Sequence, residues 1–234
     1  MENFTSTYGN SAADAAPQER ARFIRKTYLH LAAAILAFIC LETYLFTSGF
    51  ADVIATTLFG YSWFIVLALF MGVSFLANWW AHSSTSKPLQ YLGLGLYIVA
   101  EAVIFVPLLY IAASAAGDFS TIMKAGIVSL GLFAGLTATV FITKKDFSFL
   151  GPILTMGGFI ALAFIAASLL FGFSLGSLFA FIMVGFAATA IIYSTSNVLH
   201  QYAPTQHVAA SLSLFASVAL LFWYILSIFS SSDD

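Results

Sequence analysis

Seven stretches of this chain run for about 20 residues each with almost no charge, at about 28–48, 62–81, 88–112, 122–142, 150–171, 175–195 and 208–229. That pattern limits the chain more than anything else in it. A single apolar run of such length crosses a bilayer as a helix. Strands of a membrane barrel alternate apolar and polar residues over about 10 positions, whereas these runs are apolar on every side. Inside hydrocarbon every backbone N–H and C=O must be bonded internally, which a helix achieves alone. The expected fold is therefore all-α: a bundle of seven transmembrane helices. Composition agrees, with 61% hydrophobic and 8% charged residues, against about 25% charged in soluble domains. Such a chain can neither cover a water-facing surface nor remain disordered.

The few charges set direction. Arg20, Arg22, Arg25 and Lys26 precede the first span, Lys87 lies between the second and third, and Lys144 and Lys145 between the fourth and fifth. With alternating spans these share one side, and Lys124 alone falls opposite. Basic residues gather on the cytoplasmic side, so the N-terminus is expected inside and Asp233 and Asp234 outside. Residues 1–21 are expected as a mobile polar tail, with residues 22–234 as one transmembrane domain. Trp79, Trp80, Trp223 and Tyr224 are expected in interfacial belts. Gly131 and Gly135 form a G-x-x-x-G pair that predicts a helix-packing seam; Gly157 and Gly158 are expected to act similarly.

Chemistry is sparse. The chain has no phosphate-binding glycine loop and no H-E-x-x-H zinc motif. One cysteine forms no disulfide framework, and a net charge of -2 offers no footprint for nucleic acid. No catalytic residue, metal or cofactor is expected, and the chain does not read as an enzyme. The bilayer itself is the one partner that composition implies.

Two acids stand apart. Glu42 lies in the first span and Glu101 in the third, each among apolar residues. An ionised acid at mid-span costs about 2.5–3.5 kcal/mol on insertion scales. Each must find a partner, face a cavity or carry a proton. Both sit about 20 Å into spans that run the same way, so they are expected at matching depth. As neighbours they would share a proton or hold one cation; otherwise each binds a nearby hydroxyl or reaches water. His200 and His207 flank the short loop between the last two spans. They read as two solvated histidines or as a pH-responsive gate, because histidine titrates near neutral pH.

Several segments resemble the Bax-inhibitor (YccA-like, transmembrane Bax-inhibitor-motif) family. They are Phe23-Ile24-Arg25-Lys26-Thr27-Tyr28, Lys144 to Leu150, Tyr193-Ser194-Thr195-Ser196-Asn197, and Ser211-Leu212-Ser213-Leu214-Phe215. The resemblance implies a seven-helix bundle with its last helix near the centre. It also implies a calcium leak pathway, with calcium as the permeant ion, and a link to cell-death or stress regulation. Some bacterial relatives modulate a membrane-anchored ATP-dependent protease, so a protease is an implied partner and the bacterial inner membrane an implied location. The family's leak branch carries two aspartates as a pH sensor. Here those positions read Ser194 in the sixth span and Ala216 or Ser217 in the seventh, so that sensor is not expected. Two function classes stand side by side: cation permeation, and regulation within membrane quality control through the N-terminal tail. A proton-coupled transporter is a third, for which no internal repeat is visible.

Overall fold

The computed structural model describes residues 11–83 and 86–232. Residues 1–10, the first part of the expected tail, and the terminal Asp233 and Asp234 lie outside the described residues. Eight α-helices and no strand occur among the described residues: α1 (Pro17–Thr47), α2 (Phe50–Gly60), α3 (Trp63–Ala81), α4 (Lys87–Ala116), α5 (Ser120–Thr143), α6 (Leu150–Phe171), α7 (Gly176–His200) and α8 (His207–Ser232). Seven of these are long and apolar enough to cross a membrane. They coincide with the seven expected spans to within a few residues, except at the start of α1.

Helix α1 begins at Pro17, well before the expected residue 28. Proline suits the first helical turn because its missing N–H has no partner there anyway. The adjacent Glu19 faces the positive helix end. The 31 residues rise about 46 Å, more than the roughly 30 Å of hydrocarbon. The four basic residues therefore ride on helix that extends beyond the apolar layer. The described chain is also tied down just before this helix. Ala12 is fully buried and its N–H donates to the Tyr202 carbonyl at 2.8 Å.

Helix α2 is not among the sequence expectations. At 11 residues it is too short to span, so a search for runs of spanning length passes over it although it is apolar. Gly49 turns the chain into it with φ of 80°, a conformation that favours glycine. Ala51 and Ala55 then pack with Leu45 of α1 and Val106 of α4.

Helix α8 is the axis of the bundle, packed by α7, α1, α5, α4 and α3. Its buried residues include Val208, Leu212, Phe215, Ala219, Leu221 and Leu226. Helix α6 is its opposite: Ala161 is its one buried residue among those described. The expected seam at Gly131 and Gly135 is corrected, since a Cβ at either would meet nothing within 4 Å. Small residues permit close approach but do not choose the side on which a partner lies. The tight crossing is elsewhere, where a Cβ at Gly93 of α4 would stand 2.5 Å from the Ala77 carbonyl oxygen of α3. Gly157 does meet a neighbour, the Phe186 ring. Of the residues expected in belts, Trp79 is exposed, whereas Trp223 packs edge-on to Phe105 at 5.0 Å and Tyr224 is buried.

Candidate functional site

The polar groups of the bundle lie at successive levels around α8. The first level is on the basic flank, where α4 and α8 begin beside the fourth turn of α1. Tyr91 Oη lies 3.1 Å from His30 Nε2 and 3.4 Å from His207 Nε2. The two imidazoles meet edge to face at 4.9 Å. His30 Nδ1 stands 2.7 Å from the Lys26 carbonyl oxygen and so carries a proton toward it. In neutral His30 that leaves Nε2 to accept from the Tyr91 hydroxyl. His207 is thus buried in a tertiary network, and His30 belongs to the same network. His200 is separate. It ends α7, its Nε2 has no hydrogen-bond partner, and its charge acts on Asp146. The loop holding Asp146 is fastened to α7 by the Phe147 N–H, which donates to Ser196 Oγ at 2.8 Å.

One turn deeper, Ser211 Oγ donates to the Thr27 carbonyl at 2.9 Å, joining α8 to α1. Above it lies a hydroxyl cluster. Ser194 Oγ is 3.1 Å from both Ser213 Oγ and Ser217 Oγ, and Ser217 Oγ also donates to the Ser213 carbonyl. The position facing Ser194 is therefore Ser217. Ala216 is turned about 100° round the helix and packs half-buried against the apolar core. Tyr202, from the loop before α8, extends its hydroxyl to Ser213. Burial holds that phenol above its ordinary pKa.

The two acids come next. Glu101 on α4 is 6% exposed and hydrogen-bonds Tyr97, one turn before it. Glu42 on α1 is 7% exposed, and neither carboxyl oxygen has a hydrogen-bond partner. It continues the α1 stripe of Phe23, Thr27, Leu31, Ala34, Phe38 and Leu45, whose three- and four-residue steps place it on the inner face. Glu42 also lines a cavity of about 490 Å³ walled by α1 and α5 and floored by α8. The lining is almost wholly apolar: Phe38, Phe46, Ile122, Ile127, Phe215 and Phe222 are among its residues.

Glu101 is not among the residues of that cavity. Helices α1 and α4 run the same way, since His30 meets Tyr91 and, further along both, Phe38 meets Phe105. Phe38 lies one turn before Glu42, and Phe105 lies one turn after Glu101. Their edge contact at 5.2 Å therefore lies one turn from each acid. Phe215 packs against both Phe38 and Tyr97, and Phe105 stacks on Phe222. An aromatic plug thus packs between α1, α4 and α8, one turn from each carboxyl. No group of three or more His, Cys, Asp or Glu that could hold a metal occurs among the described residues.

A family model described as "Inhibitor of apoptosis-promoting Bax1" matches residues 20–234. The chain is 32% identical to Protein LIFEGUARD 4 of Arabidopsis thaliana over 225 residues, covering 93% of this chain and 87% of that one. It is 30% identical to Bax inhibitor 1 of Schizosaccharomyces pombe over 239 residues, covering 97% and 82%. It is 26% identical to the Golgi anti-apoptotic protein of Vaccinia virus (strain Lister) over 236 residues, covering 97% and 92%. The match takes in every spanning helix and the polar levels around α8, and the chain accordingly belongs to the Bax-inhibitor family of multi-pass membrane proteins.

Proposed function

We propose that this chain forms a gated cation pathway along α8, and that calcium is the ion it passes. One observation carries the reading: two buried carboxyl groups each lie one turn from an aromatic plug packed on the central helix, and one of them has no partner for either oxygen. A buried acid without partners is costly, and a passing cation would relieve that cost. Calcium is bound by oxygen ligands, carboxylates among them. Glu101, Tyr97 and the serine cluster supply oxygens below the plug, and Glu42 supplies them above it. With Phe38, Phe105 and Phe215 in contact the pathway is closed. Opening requires the α1–α4 contact to loosen.

The basic flank is placed in the cytoplasm by the same reading, on the strength of the Lys and Arg distribution. The relatives named for Bax inhibition and anti-apoptotic action suggest that such a leak acts in stress or cell-death regulation. The test is calcium flux into proteoliposomes. Phe38→Ala is expected to raise flux about tenfold, since an emptied plug lowers a barrier of the order of 1.4 kcal/mol. Glu42→Gln and Glu101→Gln are each expected to lower it. Absence of flux in every variant, or flux indifferent to both acids, overturns the proposal.

A further inference from the structure

We propose that the basic ends of α1, α4 and α8, together with the outer groove of α4, form a binding site for one anionic phospholipid. The phosphate sits between Lys26 and Lys87, and an acyl chain lies along Trp80, Tyr91 and Val99. The site is distinct from the pathway along α8 and stands whether or not that pathway conducts.

Charge, geometry and shape each contribute. Lys26 and His30 are one turn apart on α1; Lys87 and Tyr91 are one turn apart on α4. The His30–Tyr91 contact at 3.1 Å locks those two turns side by side, and Tyr91 also meets His207 at the start of α8. The charges of Lys26 and Lys87 both reach the His207 ring, and the His30–Tyr91 contact puts the two lysine-bearing turns side by side. Helices α4 and α8 both begin there, adding the partial positive charge of two N-terminal ends. Among the described residues no Asp or Glu acts on this ring. The two exposed lysines therefore face an anion that the chain itself does not supply.

Tyr91 is also the upper edge of a groove of about 700 Å³, lined by Trp80, Pro88, Tyr91, Leu92, Leu96 and Val99 around Gly95. From Pro88 to Val99 the groove follows α4 for about 16 Å, a length suited to an acyl chain. Its floor is open, since a Cβ at Gly95 would meet nothing within 4 Å. Trp and Tyr at the rim suit the headgroup level of a bilayer. Basic pockets between spanning helices bind anionic headgroups. Only a molecule with an anionic head and an apolar tail satisfies both halves at once, and the membrane provides it as phospholipid.

The test is native mass spectrometry of the purified full chain in mixed micelles containing phosphatidylglycerol or phosphatidylcholine of identical chains. The wild type is expected to retain phosphatidylglycerol preferentially. Lys26→Ala with Lys87→Ala is expected to weaken that retention about thirtyfold, at about fivefold per basic side chain near an anionic surface. Lys26→Arg with Lys87→Arg keeps it, which separates lost charge from lost folding. Gly95→Trp fills the groove and lowers retention with both lysines in place. Lys144→Ala with Lys145→Ala, on the same flank but in the loop after α5, leaves it unchanged. Equal retention of the two lipids by the wild type overturns the proposal. So does a loss with the Lys144 and Lys145 pair as large as with the Lys26 and Lys87 pair.

Discussion

The serine cluster and Glu42 are both buried polar groups beside α8, and they are held in opposite ways. Ser194, Ser213 and Ser217 bond one another, and Ser217 also bonds the helix backbone. Glu42 has two acceptor oxygens and no donor for either. A hydroxyl is small, and it donates as well as accepts, so a helix can satisfy it from its own carbonyls. An ionised carboxylate only accepts, and the carbonyls of a helix offer it nothing. The difference teaches which polar groups a bundle keeps for packing and which it keeps at a cost. The first kind ties α7 to α8. The second lines a cavity, and packing alone does not account for it.

That contrast can be broken most severely at the cluster. Ser194→Asp with Ser217→Asp puts two carboxyls where the hydroxyls now stand 3.1 Å apart. One proton shared between them holds the pair together; its loss leaves two like charges in contact. Each unit by which burial and the neighbouring charge raise the second pKa of the pair above its unfolded value costs about 1.4 kcal/mol as pH rises through it. A rise of about three units therefore loses about 4 kcal/mol from acid to alkaline pH. Thermal unfolding in detergent across pH checks it, and a flat profile matching the wild type counts against the assigned pairing.

A smaller effect of opposite sign is expected at Glu42. Glu42→Leu removes unpartnered acceptors and should raise stability by about 2 kcal/mol, within the cost of leaving a buried polar group unsatisfied. The same variant should abolish calcium flux. A fall in the unfolding temperature would mean that Glu42 is held by contacts of its own.

The least effect is expected at Asp146, outside the membrane. Its carboxyl is held below the ordinary carboxylate range, chiefly because the Ser148 N–H donates to it at 2.9 Å. A lowered folded-state value contributes stability above the ordinary range, near pH 4, and that contribution drains away as pH falls further. Asp146→Asn should therefore destabilise slightly at neutral pH and not at strongly acid pH. Equal destabilisation at both, seen by unfolding, removes the carboxylate from the explanation.

The spans were readable because hydrocarbon leaves the backbone one local solution, and a run of apolar residues announces it. Glu42 and Glu101 were readable as anomalies for the same reason. Their relation was not. It depends on which turns of α1 and α4 pack together, through contacts such as His30–Tyr91 and Phe38–Phe105. The His30–Tyr91–His207 network spans 61 and 116 residues of sequence, and no spacing signal reaches that far. Ser217 in place of Ala216 is a matter of one residue, yet one residue turns a side chain about 100° round a helix. Gly131 and Gly135 misled because a small-residue stripe says only that a neighbour could come close.

What this chain settles by sequence alone is local: which segments are helices, how many cross a membrane, and which charges lie at their ends. Those follow from the cost of an unpaired peptide group in hydrocarbon, paid residue by residue. What only the tertiary structure decides is relational: that α8 is the axis, that Ser194 faces Ser217, that Phe38 meets Phe105, and that His30 and His207 both meet Tyr91. Such relations arise from side-chain packing between helices far apart in the chain, where shape selects one neighbour among many of equal hydropathy.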